Sequence, residues 1–312
     1  MTKNILITGG AGYLGSILAP ELLALGHKVT VVDGFGGDVP SLATSCANDR
    51  FTPIRGDARN KVLMEKLITK ADVIIPLAAL VGAPLCARDE IATMTTNFEA
   101  IKMIVDLISP NQMLLYPTTN SGYGVGETGK FCTEDTPLRP ISLYGKTKVD
   151  AEAAVLDSGN GITYRLATVF GMAPKMRIDL LVNDFTYRAV ADKALVIFEG
   201  HFKRNYIHIR DVTRAFIHGI RNYQDMNNQA YNVGLSDANL SKLELCERIK
   251  LQLPKFTFLE SSIGEDPDKR DYIVSNAKLE STGFRPQWGI DRGIAELIKG
   301  YEMLNIRRFT NV

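Results

Sequence analysis

The chain has 312 residues, of which 45% are hydrophobic and 23% are charged, as expected for a globular protein with a sizeable buried core. Its formal net charge of +1 gives no electrostatic basis for binding nucleic acid or a membrane surface. The longest apolar stretch, VIIPLAALVGAPL, is too short to span a bilayer, and the four scattered cysteines show neither metal-ligand spacing nor a disulfide framework. No secretory signal precedes the first apolar run, so we expect a cytoplasmic protein. From the cysteine spacing we expect no metal site.

Short apolar runs alternate with amphipathic stretches in the first half of the chain. The runs NILIT, KVTVVD, FTPIRG, DVIIPLAA and QMLLYPT are almost continuously apolar, which predicts strands buried on both faces. Between them, SILAPELLALG, KVLMEKLITK and residues 95–108 have apolar residues at helical spacing. This alternation predicts an α/β fold with a Rossmann-type doubly wound parallel sheet and right-handed crossovers.

The second half of the chain is less regular. ITYRLATVF predicts a further strand of the same sheet, preceded by a helix that begins near Tyr144. Beyond Gly171 the pattern loosens, returns to strand at RNYIHI and QAYNVG, and ends mostly helical. We therefore predict a Rossmann domain from residues 1–170 and 206–235, with a smaller, mainly C-terminal substrate lobe from 171–205 and 236–312, in one continuous structural unit.

A glycine-rich turn, ITGGAGYLGS, follows the first predicted strand and opens the first helix. Gly9, Gly12 and Gly15 stand where a tight turn, the approach of a pyrophosphate and helix–strand packing each exclude a side chain. Asp33 ends the second strand, 18 residues after Gly15 (33 − 15), where a carboxylate accepts hydrogen bonds from ribose hydroxyls and repels a 2′-phosphate. The sequence therefore predicts NAD rather than NADP, with Asp57 as a candidate contact for adenine.

A tyrosine and a lysine lie four residues apart in YGKTK, and this spacing places Tyr144 and Lys148 on one face of a helix. An adjacent ammonium stabilises a phenolate, which can take a hydroxyl proton while hydride leaves for the cofactor. The polar residues 118–121 directly follow a buried strand. Their residue types fit either an ordinary turn or a set of substrate-binding groups.

These motifs resemble those of the extended short-chain dehydrogenase/reductase family, the nucleotide-sugar epimerases and dehydratases, over essentially the whole chain. The matching features are TGGAGYLG, Asp33, the GDA triplet, PLAA, Asn97, the polar strand end, YGKTK and RNYIHIRDV. The resemblance implies NAD as cofactor and a catalytic triad in which Thr119 orients the sugar hydroxyl for Tyr144 and Lys148. The full set of expected cofactor contacts is Gly9, Gly12, Tyr13, Leu14, Gly15, Asp33, Asp57, Ala58, Leu77, Ala78, Ala79, Asn97, Tyr144 and Lys148.

The two positions after Thr119 depart from the family's better-known reactions. The 4,6-dehydratases that this chain resembles have an Asp-Glu pair there, and the 3,5-epimerases have a Cys, whereas here the residues are Asn120 and Ser121. Neither is an acid or base at neutral pH, so what remains is oxidation of a sugar hydroxyl, with the ketone either released or reduced again from its other face. Cys86 is a conceivable replacement for the missing acid, although such a cysteine is more often a packing residue.

The resemblance also implies a site for a nucleotide-linked sugar. In the family an Asn and two Arg residues contact the phosphates, and a further basic residue borders the same cleft. The predicted substrate contacts are accordingly Thr118, Asn120, Ser121, Arg177, Asn183, Arg204 and Arg270. Four segments are most similar in sequence to enzymes that oxidise C4 of GDP-manno-heptose for bacterial capsules and related surface glycans: PLAALVGAPLC, PTTNSGYG, MRIDLLVNDFTYRA and GEDPDKRDY.

Two other functions remain open at this point. A nucleotide-sugar 4-epimerase uses the same triad and keeps its NADH, and a non-catalytic NAD-binding sensor or scaffold would share the fold. The complete set Thr119, Tyr144 and Lys148 favours an enzyme over the sensor. By resemblance we also expect a homodimer formed through the stretches NFEAIKMIVDLI and YGKTKVDAEAAVL.

Overall fold

A computed structural model describes residues 2–37, 39–262 and 270–304. The strands are β1 (Asn4–Thr8), β2 (Lys28–Asp33), β3 (Phe51–Arg55), β4 (Val73–Pro76), β5 (Met113–Thr119), β6 (Phe131–Cys132), β7 (Ile162–Leu166), β8 (Thr168–Phe170), β9 (Ala194–Ile197), β10 (Lys203–His208), β11 (Gln229–Val233), β12 (Asn239–Ser241), β13 (Thr257–Glu260) and β14 (Ile273–Val274). The α-helices are α1 (Gly15–Ala24), α2 (Lys61–Ile68), α3 (Ala83–Arg88), α4 (Glu90–Met94), α5 (Ala100–Leu107), α6 (Leu143–Asp157), α7 (Leu181–Ala191), α8 (Ile209–Arg221), α9 (Tyr223–Met226), α10 (Lys242–Gln252), α11 (Ala277–Ser281) and α12 (Ile290–Met303).

The largest sheet has seven strands in the order β11-β7-β5-β4-β1-β2-β3. Strand β1 pairs in parallel with β2 on one side and with β4 on the other, so the strand order reverses at β1. In doubly wound sheets ligands bind at such a switch point, outside the carboxyl ends of the strands. The predicted α/β Rossmann-type fold is confirmed, and the turn after β1 lies where a dinucleotide would bind.

The core around this sheet explains why its central strands are apolar throughout. Ile5, Leu6 and Ile7 of β1 are all almost completely buried, which is the environment of a strand covered by helices on both faces. On one face Leu6 packs in a cluster with residues of neighbouring strands and of the covering helices, namely Met64, Ile68, Ile74, Ile101, Ile104, Leu114, Tyr116, Ala151 and Val155.

Three elements differ from the sequence prediction. Strand β3 forms one edge of the sheet, and Thr52 and Pro53 are exposed, so it is not buried on both faces. Proline is tolerated there because an edge strand has backbone groups that need no sheet partner. ITYRLATVF is two strands, since β7 belongs to the large sheet and β8 pairs with β10 in another. Residues 95–108 begin with a π-helical turn, Thr95–Glu99, before α5.

The contacts within the chain define two compact units. The first is formed by the described residues within 1–122, 140–165 and 213–231, and the second by those within 123–139, 166–212 and 232–312. In the second unit β10 pairs with β8 and β12, β9 pairs with β13, and β6 pairs with β14. The predicted division between a cofactor-binding domain and a substrate lobe stays a prediction. No helix in the described part of the chain is long and apolar enough to cross a membrane.

Candidate active site

The glycine-rich turn between β1 and α1 leaves no room for side chains at two of its glycines. Gly9 has a φ of +68°, and a Cβ placed on it would lie 2.5 Å from the backbone of Ala78. A Cβ on Gly15 would lie 2.3 Å from the carbonyl oxygen of Gly10. At Gly12, by contrast, the only atom of the described residues within 4 Å of such a Cβ, apart from its chain neighbours, is the Gly9 oxygen at 3.3 Å. The turn is therefore packed behind Gly9 and Gly15 and open at Gly12, which fits the close approach of a dinucleotide pyrophosphate.

The carboxylate of Asp33 is held at the end of β2 by two backbone donors. The Ala11 N–H donates to Oδ2 and the Phe35 N–H donates to Oδ1, each at 2.9 Å. A carboxylate accepts more than one hydrogen bond at each oxygen, so it keeps acceptor capacity for the two hydroxyls of a ribose. This geometry fits the predicted NAD contact.

Asp57 is engaged by a neighbour that the sequence analysis did not consider. Arg59 donates to both of its carboxylate oxygens, the shortest distance being 2.6 Å between Nη2 and Oδ2. The Arg59 side-chain hydrogen bond holds the pKa of Asp57 below its ordinary value. Arg59 also donates to the Thr95 hydroxyl at 3.3 Å. Whether Asp57 contacts adenine stays a prediction, as does the contact expected for the buried Ala58 beside it.

The segment after β4 carries the predicted contacts Leu77, Ala78 and Ala79. The Leu77 N–H donates to the Thr8 carbonyl at 2.9 Å, which places this segment against the end of β1. Asn97, buried in the π-helical turn, accepts from the Leu80 N–H at 2.8 Å and donates to the Leu80 carbonyl at 2.9 Å. Asn97 therefore fixes the loop that follows the predicted cofactor contacts.

Helix α6 begins at Leu143, one residue before the predicted start. Ser142 caps it, with its Oγ accepting from the Gly145 N–H at 3.1 Å. This cap places Tyr144 in the first turn and Lys148 one turn later on the same face. Tyr144 is partly exposed, whereas Lys148 is 4% exposed.

Lys148 lies in an unusual setting for a cationic side chain. Its Nζ is 4.0 Å from the centroid of the buried Tyr116 ring. Burial lowers the pKa of Lys148 to about 7, while the negative charges of Glu152 and of a Cys86 thiolate act in the opposite direction. Burial also raises the pKa of the Tyr116 phenol well above its ordinary value. The buried ammonium of Lys148 is therefore much easier to deprotonate than that of an exposed lysine.

The hydroxyl groups of Thr118 and Thr119, at the end of β5, have different hydrogen-bond partners. Thr118 is buried and its Oγ1 donates to the Lys148 carbonyl at 3.4 Å, which connects the end of β5 to α6. Thr119 is partly exposed, and its Oγ1 donates to the Ser121 Oγ at 2.9 Å while accepting from the Ser121 N–H at 3.1 Å. Asn120 is 1% exposed, yet neither polar atom of its amide has a hydrogen-bond partner among the described residues. A buried amide in this state costs free energy.

Cys86 has the opposite of the properties that a reactive thiol needs. It is completely buried in α3, with its Sγ 3.4 Å from the Leu80 carbonyl oxygen. Burial raises the pKa of the thiol, against the smaller opposing effects of hydrogen bonds with Thr93 and Asn97 and of the Lys148 charge. A protonated, buried thiol is a packing group rather than a nucleophile.

The predicted phosphate contacts all lie in the second unit. Arg204 on β10 is 3% exposed, donates to the Lys203 carbonyl at 2.9 Å and lies 5.7 Å from the Tyr272 ring centroid. Arg177 forms an ion pair with Asp179. The Asn183 amide accepts from the Gly171 N–H and donates to the Arg177 carbonyl. Arg270 lies three residues before the start of β14, and the six residues before it in GEDPDKRDY lie outside the described residues. The four ligand roles stay predictions.

A sequence model of the NAD dependent epimerase/dehydratase family matches residues 5–234, well over half of the chain. The chain belongs to this family. The predicted resemblance to the NAD-dependent nucleotide-sugar epimerases and dehydratases is thereby confirmed, and so are the predictions of an enzyme and of NAD as its cofactor. Bound NAD would be held by the turn after β1, by Asp33 and by the loop that Asn97 fixes.

Relatives of this epimerase/dehydratase family member act in several reactions. The chain is 27% identical to the low-salt glycan biosynthesis protein Agl12 of Haloferax volcanii, covering 96% of this chain and 98% of that protein. It is 25% identical to protein CapI of Staphylococcus aureus, covering 96% and 98%. Among solved structures, the UDP-glucuronic acid 4-epimerase of Bacillus cereus superposes with a TM-score of 0.83 over 96% of this chain and 99% of that one, at 24% identity.

A second solved structure gives the same fold. The dTDP-glucose 4,6-dehydratase of Bacillus anthracis, determined with NAD, has a TM-score of 0.82 at 22% identity and covers 97% of each chain. An epimerase and a dehydratase therefore match this family member about equally well over nearly their full lengths. The fold alone does not distinguish their reactions.

Three residues near Lys148 were missed by the sequence analysis. Glu152 and Arg165 form an ion pair in which both side chains are buried, with Arg165 Nη2 2.7 Å from Glu152 Oε1. Tyr116 supplies the ring under the Lys148 ammonium. Only the spacing of Glu152, four residues after Lys148, gave a signal in the sequence, and a charged residue at that spacing usually belongs to a solvated helix face.

Proposed function

We propose that this enzyme oxidises a nucleotide-linked sugar at C4, transferring hydride to NAD and releasing a keto sugar. The observation that carries the proposal is the pair of residues after Thr119. In the dehydratases that the sequence resembles these positions carry an acid and a base, whereas here they are Asn120 and Ser121. We assign hydride transfer to Thr119, Tyr144 and Lys148, and the next two positions carry no acid or base for elimination or for 3,5-epimerisation.

Each member of the triad has a role that its surroundings support. Tyr144, near the N-terminal end of α6, would take the proton of the sugar hydroxyl as its phenolate. Lys148 in its ammonium form would stabilise that phenolate by its positive charge. Thr119 would orient the same hydroxyl, since its side chain is partly exposed and, among the described residues, bonded only to Ser121, whereas Thr118 is buried and donates to the Lys148 carbonyl. When bound, NAD supplies the hydride acceptor.

The unpaired amide of Asn120 supports its assignment to the substrate. A buried donor and acceptor without partners are expected where a ligand completes the hydrogen bonds. We assign Ser121 to the same set, because its Oγ is hydrogen-bonded to Thr119. For the phosphates we propose Arg204, whose planar guanidinium suits paired phosphate oxygens, together with Arg177, Asn183 and Arg270.

For the sugar we propose a GDP-linked manno-heptose, in the synthesis of bacterial capsule or related surface glycans. The support is the similarity of the sequence to C4 dehydrogenases of that substrate. A relative named for glycan biosynthesis, Agl12, is consistent with this assignment. We also propose that the enzyme is a homodimer that associates through α5 and α6. We place it in the cytoplasm, where NAD and nucleotide-linked sugars are available.

The experiment is to follow nicotinamide reduction by absorbance at saturating NAD with a panel of GDP- and UDP-linked sugars, including GDP-manno-heptose, and to identify the sugar products. We expect stoichiometric NADH and a 4-keto heptose. An inverted sugar without free NADH would establish the alternative, a 4-epimerase that retains NADH, for which UDP-sugar epimerases among the structural neighbours are the supporting observation. NAD binding without turnover of any sugar would favour the sensor or scaffold.

A further inference from the structure

The ion pair between Glu152, on the proposed catalytic helix α6, and Arg165, on β7, is buried on both sides. Glu152 lies one turn after Lys148 on α6 and is 2% exposed, and Arg165 on β7 is 6% exposed. Arg165 donates from Nε at 2.9 Å and from Nη2 at 2.7 Å to the same oxygen, Glu152 Oε1. Two donors on one oxygen fix the orientation of the carboxylate.

The other oxygen of this carboxylate is left over by that arrangement. Glu152 Oε2 is buried and has no hydrogen-bond partner among the described residues. A buried carboxylate oxygen is costly unless a positive charge compensates it. Lys148 is the cationic side chain one turn earlier on the same helix face, and it is itself buried.

Lys148 needs such a compensating charge as well. Its Nζ lies against the face of Tyr116, which offers only the weak negative potential of an aromatic ring. Removal from water disfavours the ammonium, and the negative charge of the Glu152 carboxylate makes the largest opposing contribution. The charges that act on Lys148 are those of Glu152 on the same helix and of Cys86 on α3. Tyr116 on β5 lies against the Lys148 Nζ, Tyr144 on α6 acts on Tyr116, and Arg165 on β7 pairs with Glu152.

We propose that Glu152 is a positioning residue whose carboxylate, fixed by Arg165, keeps the buried Lys148 side chain in its ammonium form one turn from Tyr144. The inference rests on the proposed function in one respect, since the ammonium matters to catalysis only if it stabilises the Tyr144 phenolate. The electrostatic effect itself is a property of the protein without any sugar.

Two matched substitutions separate this role from simple structural support. Glu152→Gln keeps a hydrogen-bond acceptor for Arg165 but leaves the Arg165 cation without its counter-charge, so the pKa of Lys148 should fall by about one pH unit or more. Arg165→Gln breaks the same ion pair but leaves the Glu152 charge free to act on Lys148, so that pKa should rise. A purely structural pair would give the two variants the same kind of defect.

The measurement is the titration of lysine Nζ signals by NMR in the ¹⁵N-lysine-labelled full chain, with the Lys148 signal assigned by its loss in Lys148→Met. Near-ultraviolet circular dichroism and NAD binding verify that each variant is folded. Opposite shifts in the two variants are expected. Equal shifts, or none, overturn the inference.

A milder variant covers the case in which Glu152→Gln does not fold. Glu152→Asp keeps the charge but withdraws it by one methylene, so the pKa of Lys148 should fall by less than in Glu152→Gln, and an unchanged titration overturns the inference. Because no sugar is used, these results are independent of the proposed substrate. Failure to turn over any nucleotide sugar would count against the proposed function and leave this inference standing.

Discussion

The Nζ atom of Lys148, on α6, lies 4.0 Å from the centroid of the Tyr116 ring, on β5. Both side chains are almost fully buried, so a positive charge on the lysine is poorly solvated. That charge lowers the stability of the fold, and in the proposed mechanism the same charge stabilises the Tyr144 phenolate. The effects on stability and on turnover can be measured separately.

Replacing Lys148 by Met should stabilise the protein in a pH-dependent way. The folded pKa of about 7 lies below the ordinary value of 10.5, so between these values the unfolded chain binds more protons and the stability of the natural protein rises with pH. Lys148→Met should therefore raise the free energy of unfolding by about 5 kcal/mol below pH 7, with the gain declining toward pH 10. Urea unfolding from pH 6 to 9 measures this. The exposed neighbour Lys146 gives the control, since Lys146→Met should change stability little at any pH.

Replacing Tyr144 by Phe should abolish NAD-linked turnover without abolishing NAD binding. Loss of a general base lowers the rate by about 10²- to 10⁴-fold, and Tyr144→Phe leaves the turn after β1 untouched. Steady-state rates and a fluorescence titration with NAD measure the two effects. Tyr116→Phe is the matched control, because it removes a buried hydroxyl that has no partner among the described residues and keeps the ring under Lys148. Turnover that survives in Tyr144→Phe would refute the mechanism.

Replacing Asn120 by Leu should separate stability from function. Its buried amide has no partner among the described residues, so an apolar side chain of similar size should leave the free energy of unfolding unchanged or raise it by about 1 kcal/mol. We expect kcat/KM to fall by about 10- to 100-fold, because a substrate partner is lost. Asn205→Leu is the contrast, since the Asn205 amide donates to the Leu235 carbonyl at 2.7 Å and its loss should destabilise. An Asn120→Leu variant with full activity would exclude contact with the substrate.

Replacing Asp33 by Ser should change the preference between NAD and NADP. The carboxylate repels a 2′-phosphate, and Arg55, which pairs with Asp33 in the β2–β3 register, is exposed at the same strand ends. The ratio of the two dissociation constants should shift toward NADP by about 100-fold. Fluorescence titrations with both cofactors measure the ratio. Asp57→Ser should leave it unchanged, and an unchanged ratio in Asp33→Ser would show that Asp33 does not contact the ribose.

Replacing Gly9 by Ala should destabilise the protein as well as weaken NAD binding. The new methyl group would lie 2.5 Å from the Ala78 backbone, and the φ of +68° is unfavourable for alanine. We expect a loss of about 2–4 kcal/mol in the free energy of unfolding, measured in urea. Gly36→Ala serves as the control, because no atom of the described residues other than its chain neighbours lies within 4 Å of its added Cβ. Equal stability of the two variants would contradict the packing described after β1.

The sequence predicted those parts of the fold that depend on local pattern. The strand of NILIT, the turn with Gly9, Gly12 and Gly15, and the acid at position 33 follow from spacing alone, and they define the dinucleotide end of the sheet. The helix with Tyr144 was predicted to within one residue. The break of ITYRLATVF was not predictable, because apolar periodicity identifies a strand but not the sheet to which it belongs.

The charged contacts around Lys148 could not be predicted from the sequence either. Glu152 and Arg165 are 13 residues apart (165 − 152), and nothing local shows that both are buried and paired. The same is true of Tyr116, whose position under the lysine depends on how α6 packs on β5. Tertiary packing decides these contacts, and local periodicity does not record it.

The hydrogen bond from Thr118 to the Lys148 carbonyl has a further consequence. It connects the end of β5 to α6, the helix that carries Tyr144 and Lys148. Asn120 and Ser121 belong to a separate short turn, Asn120–Tyr123. A substitution at Asn120 therefore changes the polar groups after the strand without breaking this hydrogen bond between β5 and α6. A substitution at Ser121 reaches further, because it also removes a side-chain partner of the Thr119 hydroxyl.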